Sequence, residues 1–189
     1  MKISKTKFRN NSAEYNILVG SGAINQLKKQ IGMVCPDAKK IALIFDKKIP
    51  IKLKKKVEQQ VRKYEIHVFQ YSVNEKLKSF GKANQLNESL LKKNFNRNDI
   101  IIAVGGGVLG DFAGFVASIL KRGINFINLP STLLSQVDAS IGGKTGINSA
   151  KGKNLIGTFH QPKLVISEIE FLKTLPKREM ICGFAEILK

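Results

Sequence analysis

Gly105-Gly106-Gly107-Val108-Leu109-Gly110-Asp111 stands directly after the most strand-like run of the chain, Ile100 to Val104, and directly before a helical pattern. That context suits a turn that cradles an anion. Glycines let the backbone approach a phosphate closely, and the helix that follows offers free N–H groups and the positive end of its dipole. Formally Gly105, Gly107 and Gly110 satisfy GxGxxG, which alone is weak. The ordinary dinucleotide fingerprint lies in the first βαβ unit, with an acid about 20 residues further on. Here two strand–helix units come first, and the strand after the loop runs into Pro130, Ser131 and Thr132. An acid suited to a ribose closes an earlier strand instead: Asp46. The competing reading of the loop is a tight turn that serves only close helix–strand packing.

A second constellation runs from Arg122 to Asn154, through Val137-Asp138-Ala139-Ser140-Ile141-Gly142-Gly143-Lys144-Thr145-Gly146 and Lys151-Gly152-Lys153-Asn154. Glycine permits close approach, lysine and arginine bind phosphate or carboxylate, and asparagine donates in a dry pocket. The alternative is a mobile, solvated hairpin.

The elements that must position these residues alternate. Tyr15–Val19 reads as a strand, Ala23–Ile31 as a helix, Ile41–Phe45 as a strand ending at Asp46, 50–63 as a helix and 64–71 as a strand. Ser79–Phe95 is helical, Ile100–Val104 is a strand covered on both faces, Gly107–Lys121 is helical, and Phe126–Leu129 is a strand closed by Pro130. The alternation predicts an α/β fold with a doubly wound, mostly parallel sheet. After Ser131 the glycines predict a functional loop system, followed by a strand at Leu164–Ile166. Residues 1–175 form the α/β unit, and from 176 a helix starts that the chain ends inside. That unfinished helix is expected to begin a further helical domain that this sequence lacks.

The 189 residues are 43% hydrophobic, enough for a real core. The net charge of +18 invites a nucleic-acid reading. Lysine dominates over arginine, however, the lysines are scattered, and few aromatics stand beside them to stack bases. They read as solvated faces that help draw in a small polyanion, with no nucleic-acid and no membrane partner. The N-terminus, Met1-Lys2-Ile3-Ser4-Lys5, lacks an apolar signal core, so a cytoplasmic location is expected. Cys35 and Cys182 belong to no metal pattern and are expected as buried, reduced thiols.

Taken together, Gly-Gly-Gly-Val-Leu-Gly-Asp, the stretch from Pro130 to Asn148, Lys-Asn-Leu-Ile-Gly-Thr-Phe-His-Gln-Pro and Gly-Phe-Ala-Glu-Ile-Leu-Lys resemble the 3-dehydroquinate synthase family. These are sugar-phosphate cyclases related to glycerol dehydrogenases. The resemblance covers about residues 46–189. It implies an NAD site of Asp46, Glu75, Lys78, Gly106, Gly107, Val108, Asp111, Ser131, Thr132, Lys144, Lys153, Thr174 and Leu175. It further implies substrate-facing Arg122, Asp138, Lys144, Lys153 and Asn154, with Arg122 allowed to come from a neighbouring subunit of a homodimer.

Glu186 matches a metal ligand of the family, zinc or cobalt, and Lys189 follows one turn on. Read alone, the two are an exposed ion pair. The family's other metal ligands are histidines in a C-terminal domain. His67 reads as structural, and His160 matches a position that is not a ligand.

The implied activity is a phosphate-eliminating lyase of the shikimate route to aromatic amino acids, turning 3-deoxy-D-arabino-heptulosonate 7-phosphate into 3-dehydroquinate. The chain by itself is expected to be inactive, with exposed apolar surface favouring self-association. A sister cyclase with another sugar phosphate, a metal-dependent polyol dehydrogenase and a basic nucleic-acid module remain as alternatives.

Overall fold

Uninterrupted branched aliphatic runs become strands covered on both faces, and the order in which they pair determines where a ligand can enter. In the computed structural model, which describes residues 3–10 and 13–189, β5 (Ile100–Gly105) is buried along its whole length. Met1 and Lys2, the start of the segment read as lacking a signal core, lie outside the described residues. Neighbouring β5 are β3 (Lys40–Asp46) on one side and β6 (Asn125–Pro130) on the other. Beyond them lie β4 (Glu65–Tyr71) at one edge and β9 (Leu164–Glu168), β2 (Glu14–Gly20) and β1 (Ser4–Arg9) towards the other. Every pairing in this seven-stranded sheet is parallel except β1 with β2.

Alternate residues serve opposite layers. Ile41, Leu43 and Phe45 of β3, with Ile100, Ile102 and Val104 of β5, pack with α1 (Leu27–Val34) and α2 (Ile51–Val61). Ala42 and Ile44, with Ile101 and Ala103, pack on the other face with α3 (Phe80–Lys92) and α4 (Gly107–Ile119). The expected doubly wound sheet is therefore present. After β3 the chain first adds β4 on one side and then lays β5 on the other, so connections leave in opposite directions at the ends of β3 and β5. This is the place where open α/β sheets hold ligands.

Two expectations need correction. β1 lies outside the alternation read from the sequence, because Lys5, Lys7 and Arg9 fill one face and Phe8 is the sole large apolar side chain on the other. It is held by antiparallel register, Ser4 opposite Val19, and its cations blunt an exposed edge. The glycine-rich stretch after Ser131 is an ordered structure, not a loop system. One π-helical turn (Ser135–Ala139) leads into an antiparallel hairpin of β7 (Lys144–Ser149) and β8 (Gly152–Phe159). Its glycines allow the strands to approach: a Cβ on Gly146 would stand 3.0 Å from the Ile156 carbonyl oxygen, and one on Gly157 would collide with that of Thr145. The hairpin lies on α4 at Gly114, where a Cβ would meet Thr145 Cγ2 at 2.5 Å.

The last helix, α5 (Lys177–Leu188), seats Gly183 against Leu133 and Leu134 and leaves Ile181, Phe184, Ile187 and Leu188 exposed. It also exposes Cys182, which corrects the expectation of two buried thiols. Cys35 is buried, and burial pushes its thiol up to about 11. A native thiol titration at neutral pH should accordingly label Cys182 alone and reach Cys35 only after unfolding. Equal, rapid labelling of both would contradict this packing.

Candidate functional site

Helix α4 opens the site. Its first intrahelical bonds run from Leu109 N and Gly110 N to Gly106 O, at 3.0 and 3.1 Å. The N–H groups of Gly107 and Val108 precede them, at the positive end of the helix. The loop glycines divide their work. A Cβ on Gly105 would sit 2.6 Å from Leu109 Cδ2, and one on Gly110 3.2 Å from Asn128 Nδ2, so these two serve close helix–strand packing. Gly106, Gly107 and Val108 instead line a groove of about 430 Å³. The packing reading therefore holds for Gly105 and Gly110, while Gly106, Gly107 and Val108 are left facing the groove.

Asp46 enters the same groove because β3 and β5 pair with Phe45 beside Val104. Ser131 and Thr132 follow β6 and form another wall. Ser131 N donates to Gly105 O at 2.9 Å, and Thr132 Oγ1 donates to Ser135 Oγ at 2.8 Å. Thr174 and Leu175, from the short turn after β9, complete it. Eight of the residues expected around the cofactor thus converge from four separate segments on the end of β3 and β5.

The others cluster between α4 and the hairpin. Asp111, Asp138, Lys144 and Asn154 line a second cleft of about 710 Å³. Asp138 sits on the π-helical turn. Gly142 and Gly143, at φ of 88° and 69°, carry the chain from there to Lys144 in a conformation that favours glycine. Tyr15 OH and Gln161 fasten that bend, accepting from Gly142 N at 3.1 Å and donating to Gly142 O at 2.9 Å.

Lys78 is the hub. Its ammonium is buried, 3% exposed, and lies 2.5 Å from Asp111 Oδ2; it also donates to Asn154 Oδ1. Burial raises the Asp111 carboxyl and Lys78 opposes the rise. Asn148, to which the sequence reading gave no role, ties three segments together. Its N–H donates to Lys78 O at 2.8 Å, its amide to Glu75 Oε2 at 2.9 Å, and its Oδ1 accepts from Asn154 N at 3.1 Å. Glu75 is held below its ordinary value, first by Asn148 and also by the charge of Lys153, 3.7 Å away. Only the spatial meeting of the 75–78 turn with the hairpin reveals Asn148; its place within Gly-Ile-Asn carried no separate signal.

Arg122 stands apart. With Lys121 at φ 52° and Arg122 at 63°, the turn after α4 directs it to a different cavity, of about 590 Å³, shared with Arg97, His160 and Lys163. Glu186 pairs with Lys189 at 3.4 Å on α5. Among the described residues no group of three His, Cys, Asp or Glu side chains could hold a metal ion. His67 bonds Glu65 at 2.8 Å, a structural role as expected.

His160 bonds the Ile124 carbonyl at 2.9 Å, and burial, helped by the charge of Lys163, lowers its pKa below 6.5. An unfolded chain would take up this proton first. Its contribution to stability is therefore complete above pH 6.5 and lost as pH falls through the folded value. Replacement by glutamine should flatten the acid limb of stability against pH; an unchanged limb in urea unfolding between pH 7 and 5 would count against it.

With this geometry in place, the chain can be set beside known proteins. Residues 68–182 match the model of the 3-dehydroquinate synthase N-terminal family. The chain belongs to that family. A 3-dehydroquinate synthase of Pelagibacter ubique (strain HTCC1062) is 47% identical over 189 residues, which is 100% of this chain and 51% of that relative. The chain spans about half the length of the curated relatives it matches.

Among solved structures, a 2-deoxy-scyllo-inosose synthase complexed with carbaglucose-6-phosphate, NAD+ and Co2+ superposes with a TM-score of 0.89 at 23% identity, over 98% of this chain and 51% of that one. That likeness shows the fold. ValA, a 2-epi-5-epi-valiolone synthase from Streptomyces hygroscopicus subsp. jinggangensis 5008 with NAD+ and Zn2+ bound, aligns at TM-score 0.80 and 26% identity, over 96% of this chain and 50% of that one. The fold class and family resemblance read from the motifs are those found.

Proposed function

We propose that this chain forms the NAD-binding part of a 3-dehydroquinate synthase, the lyase that converts 3-deoxy-D-arabino-heptulosonate 7-phosphate to 3-dehydroquinate and phosphate. One observation carries the reading: Asp46, the Gly106–Val108 turn, Ser131, Thr132, Thr174 and Leu175 meet in one groove at the point where the sheet's connections reverse. NAD fits this groove chemically. The N–H groups of Gly107 and Val108 suit a pyrophosphate, and Asp46 suits a ribose hydroxyl. When bound, NAD would accept and later return a hydride at an alcohol carbon of the substrate.

The residues of the chain bind and orient. Lys144 and Asn154, both lining the second cleft, supply charge and a donor for the substrate's phosphate or carboxylate, and Asp138 accepts from a hydroxyl. Lys153, paired with Glu75 on the rim, adds a cation to the approach. Lys78 and Asp111 hold the hairpin that carries these groups. A divalent metal does not fit the described donor set, since Glu186 is a single carboxylate already paired with Lys189. Arg122 faces a separate cavity, which supports the reading that it serves a second copy in a homodimer.

Calorimetric titration of the 189-residue chain with NAD tests the reading. Saturable binding is expected, and Gly106→Val, whose side chain would press on Thr132 Cγ2, should weaken it by about a hundredfold, some 2.7 kcal/mol. No phosphate release from the sugar phosphate is expected from this chain alone. Absence of NAD binding at millimolar concentration by a folded chain, or turnover without any added polypeptide, would overturn the proposal.

A further inference from the structure

The β7–β8 hairpin loses its register at one residue. Ile147 lies opposite Ile156 and Ser149 opposite Gly152, so Lys153, Asn154 and Leu155 bulge out across from Asn148 alone. A bulge re-aims side chains, and this one brings Asn154 to the second cleft with φ at 57°, a left-handed backbone that a residue with a side chain rarely adopts unless something holds it. Asn148 supplies the hold. Its Oδ1 accepts from Asn154 N at 3.1 Å, while its Nδ2 donates to Glu75 Oε2 at 2.9 Å. Chemistry fixes both ends of this amide, because a backbone N–H can only donate and an ionised carboxylate can only accept. Aspartate here would set a second carboxylate against Glu75, and leucine, of similar size, offers neither bond. The Asn154 amide is oriented by the same rule. Lys78 Nζ has only protons to give, so the oxygen of Asn154 turns to it, and Asn154 Nδ2, which has no partner among the described residues, is left for a ligand.

Resting on the reading of the second cleft as the substrate's, we propose that Asn148 is a positioning residue for Asn154, holding the bulge so that the free Asn154 amide donor meets an anionic oxygen of the ligand. Asn148 is not itself among the residues that line the cleft, so it acts through Asn154 and not by contact. The donor is in place before the ligand arrives, and less ordering has to be supplied on binding.

The test is a titration of the 189-residue chain with inorganic phosphate, followed by proton–nitrogen NMR at the Lys144 and Gly146 backbone amides, which belong to residues lining the same cleft. Both signals should shift and saturate in the native chain, together with the Asn154 side-chain amide. Asn148→Ala should weaken this binding by about tenfold. Asn148→Ser, too short to reach both partners, should show the same loss and serves if the alanine form does not fold. In an Asn154→Ala background the change at Asn148 should cost nothing more, since nothing is left to position. Asp99→Asn controls for lost stability alone. Asp99 accepts from Lys39 N and Lys40 N just before β5, at the end of that strand away from the glycine turn, and this variant should bind phosphate as the native chain does. The proposal is overturned if the Asn148 variants bind like the native chain, if the losses at Asn148 and Asn154 simply add, or if Asp99→Asn weakens binding equally; in each case phosphate binding by the native chain leaves the reading of the cleft standing. If the native chain, folded by circular dichroism, shows no phosphate-dependent shift at Lys144 and Gly146, that reading and the proposal fall together.

Discussion

Lys78→Met should lower the stability of the chain by about 3 kcal/mol in urea unfolding, because it removes one partner of a buried ion pair and leaves the other without compensation. Lys78 is 3% exposed and Asp111 25%, and no second cation bonds Asp111 among the described residues. The same ammonium also serves Asn154, so the hairpin should loosen from the 75–78 turn as well.

The loss should depend on pH in a definite sense. Burial already raises the Asp111 carboxyl above its ordinary 3.8, and without Lys78 it rises further. The folded state then holds the proton more tightly than the unfolded chain. The stability of the variant is therefore best preserved at low pH and is lost as pH climbs through the folded value. Adding Asp111→Leu should recover part of the deficit, since an uncharged pair avoids the burial cost. A single variant within about 0.5 kcal/mol of the native chain, or a double variant worse than the sum of the two single changes, would refute this account of the hub.

An effect of similar size is expected at Glu168, which ends β9 with no exposed surface and takes no part in the proposed chemistry. Its Oε1 accepts from Gly22 N at 2.9 Å and from Glu170 N at 3.2 Å, and its Oε2 from Ile24 N at 3.1 Å. One carboxylate therefore closes the turn after β2 and starts the turn that carries Phe171 and Thr174 to the groove. Glu168→Ala leaves three amides without their acceptor and should cost about 3 kcal/mol. Glu168→Gln keeps one acceptor oxygen and should cost about half as much. Equal unfolding midpoints for all three proteins would show that these bonds contribute little.

Much of this architecture could be read from the residues. The β3 and β5 runs are aliphatic throughout, so their burial on both faces follows from composition alone, and the Gly105–Asp111 loop is recognisable because a strand precedes it and a helix follows. What stayed hidden depends on long-range meeting. β1 carries a single large apolar side chain, Phe8, and takes shape through that ring's stacking on Tyr15 and through pairing with β2. The β7–β8 hairpin reads from the sequence only as a mobile, solvated alternative, because glycine, which breaks helices, here lets two strands and a helix touch. The pairing of Lys78 with Asp111 joins residues 33 apart in sequence, and Asn148 matters only once the 75–78 turn lies against it. Cys182 escaped because whether a helix face is covered depends on what packs against it, and α5 is seated only at Gly183.

Helix α4 begins at the Gly106–Val108 turn and, within its next two windings, presents Asp111 to the hub and Gly114 to the hairpin. The two compartments thus share a single stiff rod. If that rod slides or tilts against the sheet, the glycine turn of the groove and the basic lining of the second cleft travel with it as one piece. The relative placement of the two clefts is therefore insensitive to breathing of the surrounding layers, and misalignment would require bending the rod itself.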